Sequence, residues 1–244
     1  MSATPYDNDS FFEKYSRMSR SVKGLEGAGE WPTLEPMLPD FKGKRVLDLG
    51  CGFGWHCRYA AERGAKSVLG IDSSEKMLLR ARAENNAPRI EYRRLALEDA
   101  SFPPSSFDVV ISSLVFHYVK DFRALCRNVF EWLVSGGSFV FSVEHPVFTA
   151  QGRQTWISDE NGKPLFWPVD RYFEEGERIA DFLGEDIVKY HRTLTAYLSA
   201  PMQAGFVLKE LREPQPTAEM LKSLPEMTDE LRRPMMLILS WIKK

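Results

Sequence analysis

The sequence predicts an α/β fold with a mainly parallel sheet, and three observations carry that prediction. Short apolar runs alternate with helical patterns between Arg45 and Val143, the rhythm of βαβ crossovers. A glycine-rich turn, Gly50-Cys51-Gly52-Phe53-Gly54, closes the first of those runs and opens a helix. The run Phe107–Ser112 is almost wholly apolar, as expected of a strand covered on both faces.

Each element follows in order. Residues 1–39 are polar and aromatic, with helical pieces expected around Asp9–Ser19 and Pro32–Met37. Arg45–Leu49 reads as the first strand, and Trp55–Arg63 as the helix after the glycines. Ser67–Ile71 is the second strand, followed by a helix over Ser74–Glu84 whose Ser73-Ser74-Glu75 start supplies an N-cap. Ile90–Arg94 is the third strand and Phe107–Ser112 the fourth. Residues 121–134 place Phe122, Leu125, Val129, Phe130 and Leu133 at helical spacing and are expected to stop at Gly136-Gly137, before a fifth strand over Ser138–Val143.

Residues 146–192 break the rhythm, with an Asn161-Gly162 turn signal and two tryptophans, and are expected to form hairpins or a lid. A helix near Thr193–Ala204 restores it. Phe206–Leu211 and Met235–Ile242 then read as a terminal antiparallel pair.

At 244 residues the chain suits one domain with insertions: an N-terminal cap (1–39), a core (40–145), an inserted lid (146–197) and a C-terminal hairpin (198–244). A net charge of -2 argues against a polyanionic partner, so no nucleic acid is expected. Three cysteines without CxxC spacing read as reduced thiols. The polar N-terminus lacks an apolar signal region, and no apolar stretch is long enough for a membrane; a cytoplasmic protein without a membrane partner is expected.

The glycine turn carries the functional argument. At a strand–helix junction glycines let the backbone turn tightly and approach a ligand. Asp48, two residues before the first glycine, is placed where a carboxylate can attract an ammonium group. Asp72 ends the second apolar run, where a carboxylate can accept both hydroxyls of an adenosine ribose; the plainer reading is that it caps the next helix. A dinucleotide fold is the rival, but its GxGxxG would need glycine where Trp55 stands, and an acid beside the loop suits a pyrophosphate poorly.

Val46–Gly54, Gly70–Ser73 with Met77, Leu97–Asp99, Phe107–Ser113 and Gly136–Phe141 closely resemble, in order and spacing, the motifs of class I S-adenosylmethionine-dependent methyltransferases. The resemblance covers about residues 40–145 strongly. It implies a Rossmann-like, doubly wound, seven-stranded sheet with an antiparallel last strand, and S-adenosyl-L-methionine as cofactor. It further implies that Asp48, Gly50, Gly52 and Gly54 line the methionine moiety and that Ser113 lies beneath it. Asp72 would bind the ribose, with Ser73, Met77, Leu97 and Glu98 near the adenine. One departure is Ala96, where the family often carries an acid for the adenine amino group.

Methyl transfer needs alignment above all, with a general base useful for a hydroxyl acceptor. Glu144 and His145 follow the fifth strand, His117 the fourth, and His191 precedes the late helix; these four are the candidate catalytic residues, each histidine having an ordinary structural reading as well. His56 is expected to pack near the loop. Trp156, Trp167, Tyr172 and Phe173 could wall an acceptor, and Tyr15 and Trp31 could close over the cofactor. No metal is expected. The expected activity is methyl transfer to a small-molecule acceptor, the alternatives being another transfer from the same cofactor or a non-catalytic binding protein.

Overall fold

The computed structural model describes residues 4–223 and 225–244; the Met1–Ala3 start of the expected N-terminal cap lies outside them. The cap forms three short helices, α1 (Asp9–Ser16), α2 (Ser19–Lys23) and α3 (Trp31–Leu34). Asn8 caps α1 by accepting from the Phe11 amide at 3.1 Å. The core then alternates β1 (Arg45–Leu49), α4 (Trp55–Glu62), β2 (Ser67–Asp72), α5 (Glu75–Glu84), β3 (Ile90–Arg94), β4 (Phe107–Ser113), α6 (Phe122–Trp132) and β5 (Leu133–Glu144).

The insertion contains α7 (Pro146–Thr149) and two hairpins, β6 (Ile157–Ser158) with β7 (Pro164–Phe166) and β8 (Gly176–Phe182) with β9 (Glu185–His191). The turn at Asn161-Gly162 separates β6 from β7, as its residues predicted. After α8 (Leu194–Ala204), β10 (Phe206–Arg212), α9 (Ala218–Ser223) and β11 (Met236–Lys243) complete the chain.

Seven strands form one sheet in the order β10-β11-β5-β4-β1-β2-β3. β1 through β5 pair in parallel, and β11 lies antiparallel between β5 and β10. The alternation of side chains along β4 explains its apolar sequence: Val110 joins a core that includes Phe122, Leu125 and Tyr197, while Val109 and Ile111 join one with Cys57, Ala60 and Leu78. Both faces are therefore buried under helices, and ligand-facing groups are confined to the strand ends.

One boundary differs from its sequence pattern. α6 ends at Trp132, and β5 already begins at Leu133, which pairs with Phe107; the ladder then shifts before resuming at Val109–Ser138. Gly136, at φ +77°, lies in that irregularity inside the strand and does not stop the helix.

Candidate functional site

Backbone geometry builds one end of the site. Beyond the carboxyl end of β1 the chain turns through Gly50, Cys51 and Gly52, all lining a cleft of about 1370 Å³. Gly52 sits at φ +52°, and a Cβ there would meet nothing within 4 Å, so the loop leaves open space toward a ligand. Gly54 does not line the cleft. At φ +79° it starts α4, and a Cβ would fall 2.2 Å from the Tyr92 hydroxyl beneath it.

Asp72 ends β2 on the cleft wall. Its Oδ2 accepts from the Gly52 amide at 2.9 Å and its Oδ1 from the Ser74 amide at 2.9 Å, which fixes the carboxylate. Burial raises its pKa. Ser74, by contrast, is the residue that caps α5, accepting from the Met77 amide at 3.2 Å. Ser73, Met77, Ala96, Leu97, Glu98 and Asp99 line the same part of the cleft.

Asp48 stands elsewhere than its place in the motif suggests. Its side chain turns under the loop, is 1% exposed and accepts from Cys57 Sγ at 3.2 Å. Burial pushes its pKa up to about 7. The alternation of β1 explains this: Asp48 points into the core, so its carboxylate supports the loop from below and does not line the cleft.

The other end is built from side chains. The loop after β4 brings in His117 and Tyr118, and β5 ends at Glu144. The Glu144 amide donates to His117 Nδ1 at 3.4 Å, which leaves the ring proton on Nε2, 4.0 Å from Glu144 Oε1. Burial lowers the His117 pKa to about 4, so the ring is neutral near pH 7. Glu144 receives Lys189 Nζ at 2.6 Å on Oε1 and Gln154 Nε2 at 2.6 Å on Oε2. Burial opposes its ionisation, but His117, which is charged only at low pH, and the Lys189 charge, with hydrogen bonds from Lys189 and Gln154, hold its pKa below the ordinary value.

Aromatic rings close this end. Tyr6 donates to Tyr118 at 3.2 Å and packs edge-on against Tyr15, and Phe182 at the tip of the β8–β9 hairpin reaches Phe11 and Tyr15. Lys14 Nζ donates to the Leu183 carbonyl at 3.0 Å, joining the cap to the hairpin tip. Arg192 donates to the carbonyls of Phe116 and Lys120, anchoring the segment that carries His117.

Two of the four candidate catalytic residues therefore meet in the cleft, His117 and Glu144. His145 and His191 do not line it. His145 Nδ1 caps α7 by accepting from the Val147 amide at 3.0 Å, and its Nε2 lies 2.9 Å from Glu213. His191 is wholly buried between Thr149 Oγ1 at 2.7 Å and the Tyr172 carbonyl at 2.9 Å. Tyr15 and Ser113 line the cleft, as does His56, whose pKa burial lowers to about 4. Trp31 instead packs edge-on against His56 and Tyr59.

The rings expected to wall an acceptor lie apart from the cleft. Trp156 and Trp167 gather round Arg233 in a separate hollow of about 310 Å³, Tyr172 accepts from the Leu194 amide, and Phe173 is 89% exposed. Sequence reasoning missed Tyr6, Tyr118, Lys189, Arg20 and Glu30. Glu30 carried the one usable signal: an isolated acid in Gly27-Ala28-Gly29-Glu30-Trp31, among residues suited to burial.

The cleft fits an adenosine-bearing sulfonium cofactor. Gly52 opens toward it, Asp72 offers fixed acceptor oxygens at a strand end, and Glu30 Oε2 and Trp55 Nε1 are buried polar atoms without partners among the described residues. Comparison with known proteins agrees. A family model described as a methyltransferase domain matches residues 47–141. The crystal structure of a Listeria monocytogenes protein assigned as an S-adenosylmethionine dependent methyltransferase is 56% identical, covers 91% of this chain and 99% of that one, and superposes with a TM-score of 0.86. An S-adenosylmethionine dependent methyltransferase from Mesorhizobium loti is 47% identical, with 90% and 100% coverage and a TM-score of 0.83.

More distant relatives diverge in what they are named for. Ubiquinone biosynthesis O-methyltransferase of Neisseria meningitidis is 38% identical over 143 residues, 53% of this chain and 59% of that one. The tRNA U34 carboxymethyltransferase of Hahella chejuensis is 32% identical over 171 residues, 62% of this chain and 51% of that one. A methyltransferase bound to the Haloferax volcanii Trm112 activator shares the fold, at 17% identity and a TM-score of 0.67. The expectation of no nucleic-acid partner is overturned by these relatives: net charge is a property of the whole surface and does not exclude a local acceptor site. Among the described residues no helix is long and apolar enough to cross a membrane.

Proposed function

The chain belongs to the S-adenosylmethionine-dependent methyltransferase family, and from that premise we propose that it transfers the methyl group, in line, to a small-molecule acceptor. One observation carries the proposal: a single cavity joins the Gly50–Gly52 loop and Asp72 to an end enclosed by Tyr6, Tyr118 and Phe182. Enclosure favours a small acceptor, because the Lys14–Leu183 contact ties the N-terminal cap to the hairpin tip.

Residues of this chain divide the work. The backbone of Gly50 and Gly52, with Ser113, holds the methionine part, and Asp72 accepts the ribose hydroxyls. Ser73, Met77, Leu97 and Glu98 surround the adenine, and Tyr15 covers the middle of the cleft. Asp48 and Gly54 act beneath the loop, as support. When bound, the cofactor supplies an electrophilic methyl carbon that needs an aligned nucleophile and little else.

Alignment falls to His117 and Glu144. With Nδ1 engaged by the Glu144 amide, His117 offers an Nε2–H donor to the acceptor, and ionised Glu144 is the group able to take its proton. For His145 and His191 we assign structural roles, since hydrogen bonds or close contacts occupy both ring nitrogens of each. Residues 1–39, 40–145, 146–197 and 198–244 serve as cap, core, lid and terminal hairpin of one unit, and three free, buried cysteines suit the cytoplasm.

Calorimetric titration with S-adenosylmethionine and S-adenosylhomocysteine tests the cofactor half. Wild type should bind both, and Asp72→Ala should weaken both by about 10- to 100-fold, since hydrogen bonds to a charged acceptor contribute about 1.5–3 kcal/mol each. No binding to folded wild type would overturn the reading. A second reading, an acceptor group on RNA, draws on the relatives named tRNA U34 carboxymethyltransferase. A turnover screen of amino, hydroxyl and thiol compounds beside RNA separates the two; turnover with RNA alone would replace the small-molecule part.

A further inference from the structure

Arg20 and Glu30 come from the N-terminal cap, outside the segment that the family model matches. They form an ion pair through one guanidinium nitrogen, and the other Arg20 N–H donors have no hydrogen-bond partner among the described residues. Glu30 is 1% exposed. Its Oε1 accepts from Arg20 and from Ser113 Oγ at 3.1 Å, while its Oε2 is buried without a partner. The Trp55 indole N–H is also buried and unpartnered. All of these residues line the cleft with Gly50 and Gly52.

Burying a carboxylate is costly unless its oxygens are satisfied, and here only Glu30 is fully buried, with half-buried Arg20 beside it. Here the fold holds a cationic fork beside an anionic oxygen, each with bonding capacity left over. Burial alone would raise the Glu30 pKa, but the Arg20 charge and hydrogen bond, together with a backbone hydrogen bond, hold it below the ordinary value, so the oxygen is anionic at neutral pH.

We propose that the Arg20–Glu30 pair recognises the α-amino acid end of the cofactor, Arg20 taking the carboxylate and Glu30 the ammonium. The inference rests on the S-adenosylmethionine reading above. An α-amino acid zwitterion carries opposite charges a few bonds apart, and this wall presents the complementary opposite charges side by side. Neither a neutral nucleoside nor a pyrophosphate-bearing dinucleotide presents that pattern. Ser113 ties Glu30 to the end of β4, which sets the pair beside the glycine loop.

The test compares S-adenosylhomocysteine with 5′-methylthioadenosine, which keeps the adenosine and sulfur but lacks the amino acid end. Both are titrated calorimetrically into wild type, Arg20→Ala, Arg20→Lys and Glu30→Gln. Wild type should prefer S-adenosylhomocysteine. Arg20→Ala and Glu30→Gln should each lose about 10- to 100-fold toward it while methylthioadenosine affinity holds within about threefold, the size of a lost charge-assisted hydrogen bond. Arg20→Lys keeps a cation beside the buried Glu30 carboxylate, and should lose less, since a point charge replaces the fork.

Unchanged S-adenosylhomocysteine affinity in all three variants would overturn the assignment. So would an equal loss of both ligands in Arg20→Lys, which would make the pair a structural brace. Wild type that binds neither ligand would overturn the cofactor reading itself, and the assignment with it.

Discussion

At the β1–β2 end of the cleft the lining is main chain and a strand-terminal carboxylate, Gly50, Gly52 and Asp72, held by 2.9 Å hydrogen bonds from the Gly52 and Ser74 amides to Asp72 and from the Gly50 amide to the Ile71 carbonyl. At the β5 end the lining is side chains from four separate stretches, Tyr6, the His117–Tyr118 loop, Glu144, and Phe182 on the hairpin, with Lys189 behind Glu144. The first end takes its shape from the main chain: a Cβ at Gly50 would fall 2.5 Å from Val115 Cγ2, and one at Gly52 would project into the open cleft. The second depends on opposite charges cancelling, and side chains from the insertion help to shape it. A family can therefore keep one cofactor and take up many acceptors, since only the second end has to change.

The largest effect should come from breaking the charge balance. Lys189, with 2% of its side chain exposed, is the cation bonded to half-buried Glu144. Lys189→Met should cost about 3–5 kcal/mol of stability, the range for leaving one partner of a buried pair uncompensated. Urea unfolding checks this, and Lys189→Met combined with Glu144→Gln should recover a large part of the loss. If the double variant is as unstable as the single one, packing and not charge holds this end.

A smaller loss is expected at the backbone end. Gly54→Ala places a Cβ at φ +79° and 2.2 Å from Tyr92 Oη, with Tyr92 Cζ at 2.8 Å. Left-handed strain and overpacking together should cost about 2–4 kcal/mol. Tyr92→Phe removes the nearest atom but leaves the ring, so the double variant should regain only part of it. Thermal unfolding of the two variants checks this, and a Gly54→Ala protein as stable as wild type would mean that the loop can move aside.

How much of each end was legible follows from the same contrast. Strand ends and glycine turns follow local periods, so Gly50, Gly52, Asp72 and the succession of β1 to β5 along the chain were legible directly. Asp48 was legible as a position but not as an orientation: its place on the strand turns it inward onto Cys57. In the other end no local pattern says that Tyr6 meets Tyr118 or that Lys189 meets Glu144, for those contacts exist only after the insertion folds back. The insertion's tryptophans misled for the same reason. Their chemistry suited an acceptor wall, but their hairpin lands on Arg233.

The smallest effect separates buried charge from buried neutrality within the β5 end. His117 has a pKa of about 4 in the folded chain against about 6.5 when unfolded. The unfolded chain therefore binds the proton more readily, so the contribution of neutral His117 is complete above about pH 6.5 and is lost as the pH falls toward 4. At pH 5.5 that loss should be about 1 kcal/mol relative to pH 7.5. Because His56 titrates in the same window, the useful quantity is the difference between wild type and His117→Gln, measured by urea unfolding across this range. The variant should have a shallower decline, whatever its stability at pH 7.5. Identical slopes would mean that water reaches the His117 ring, and an end open to water in that way would not be the enclosed compartment on which a small acceptor depends.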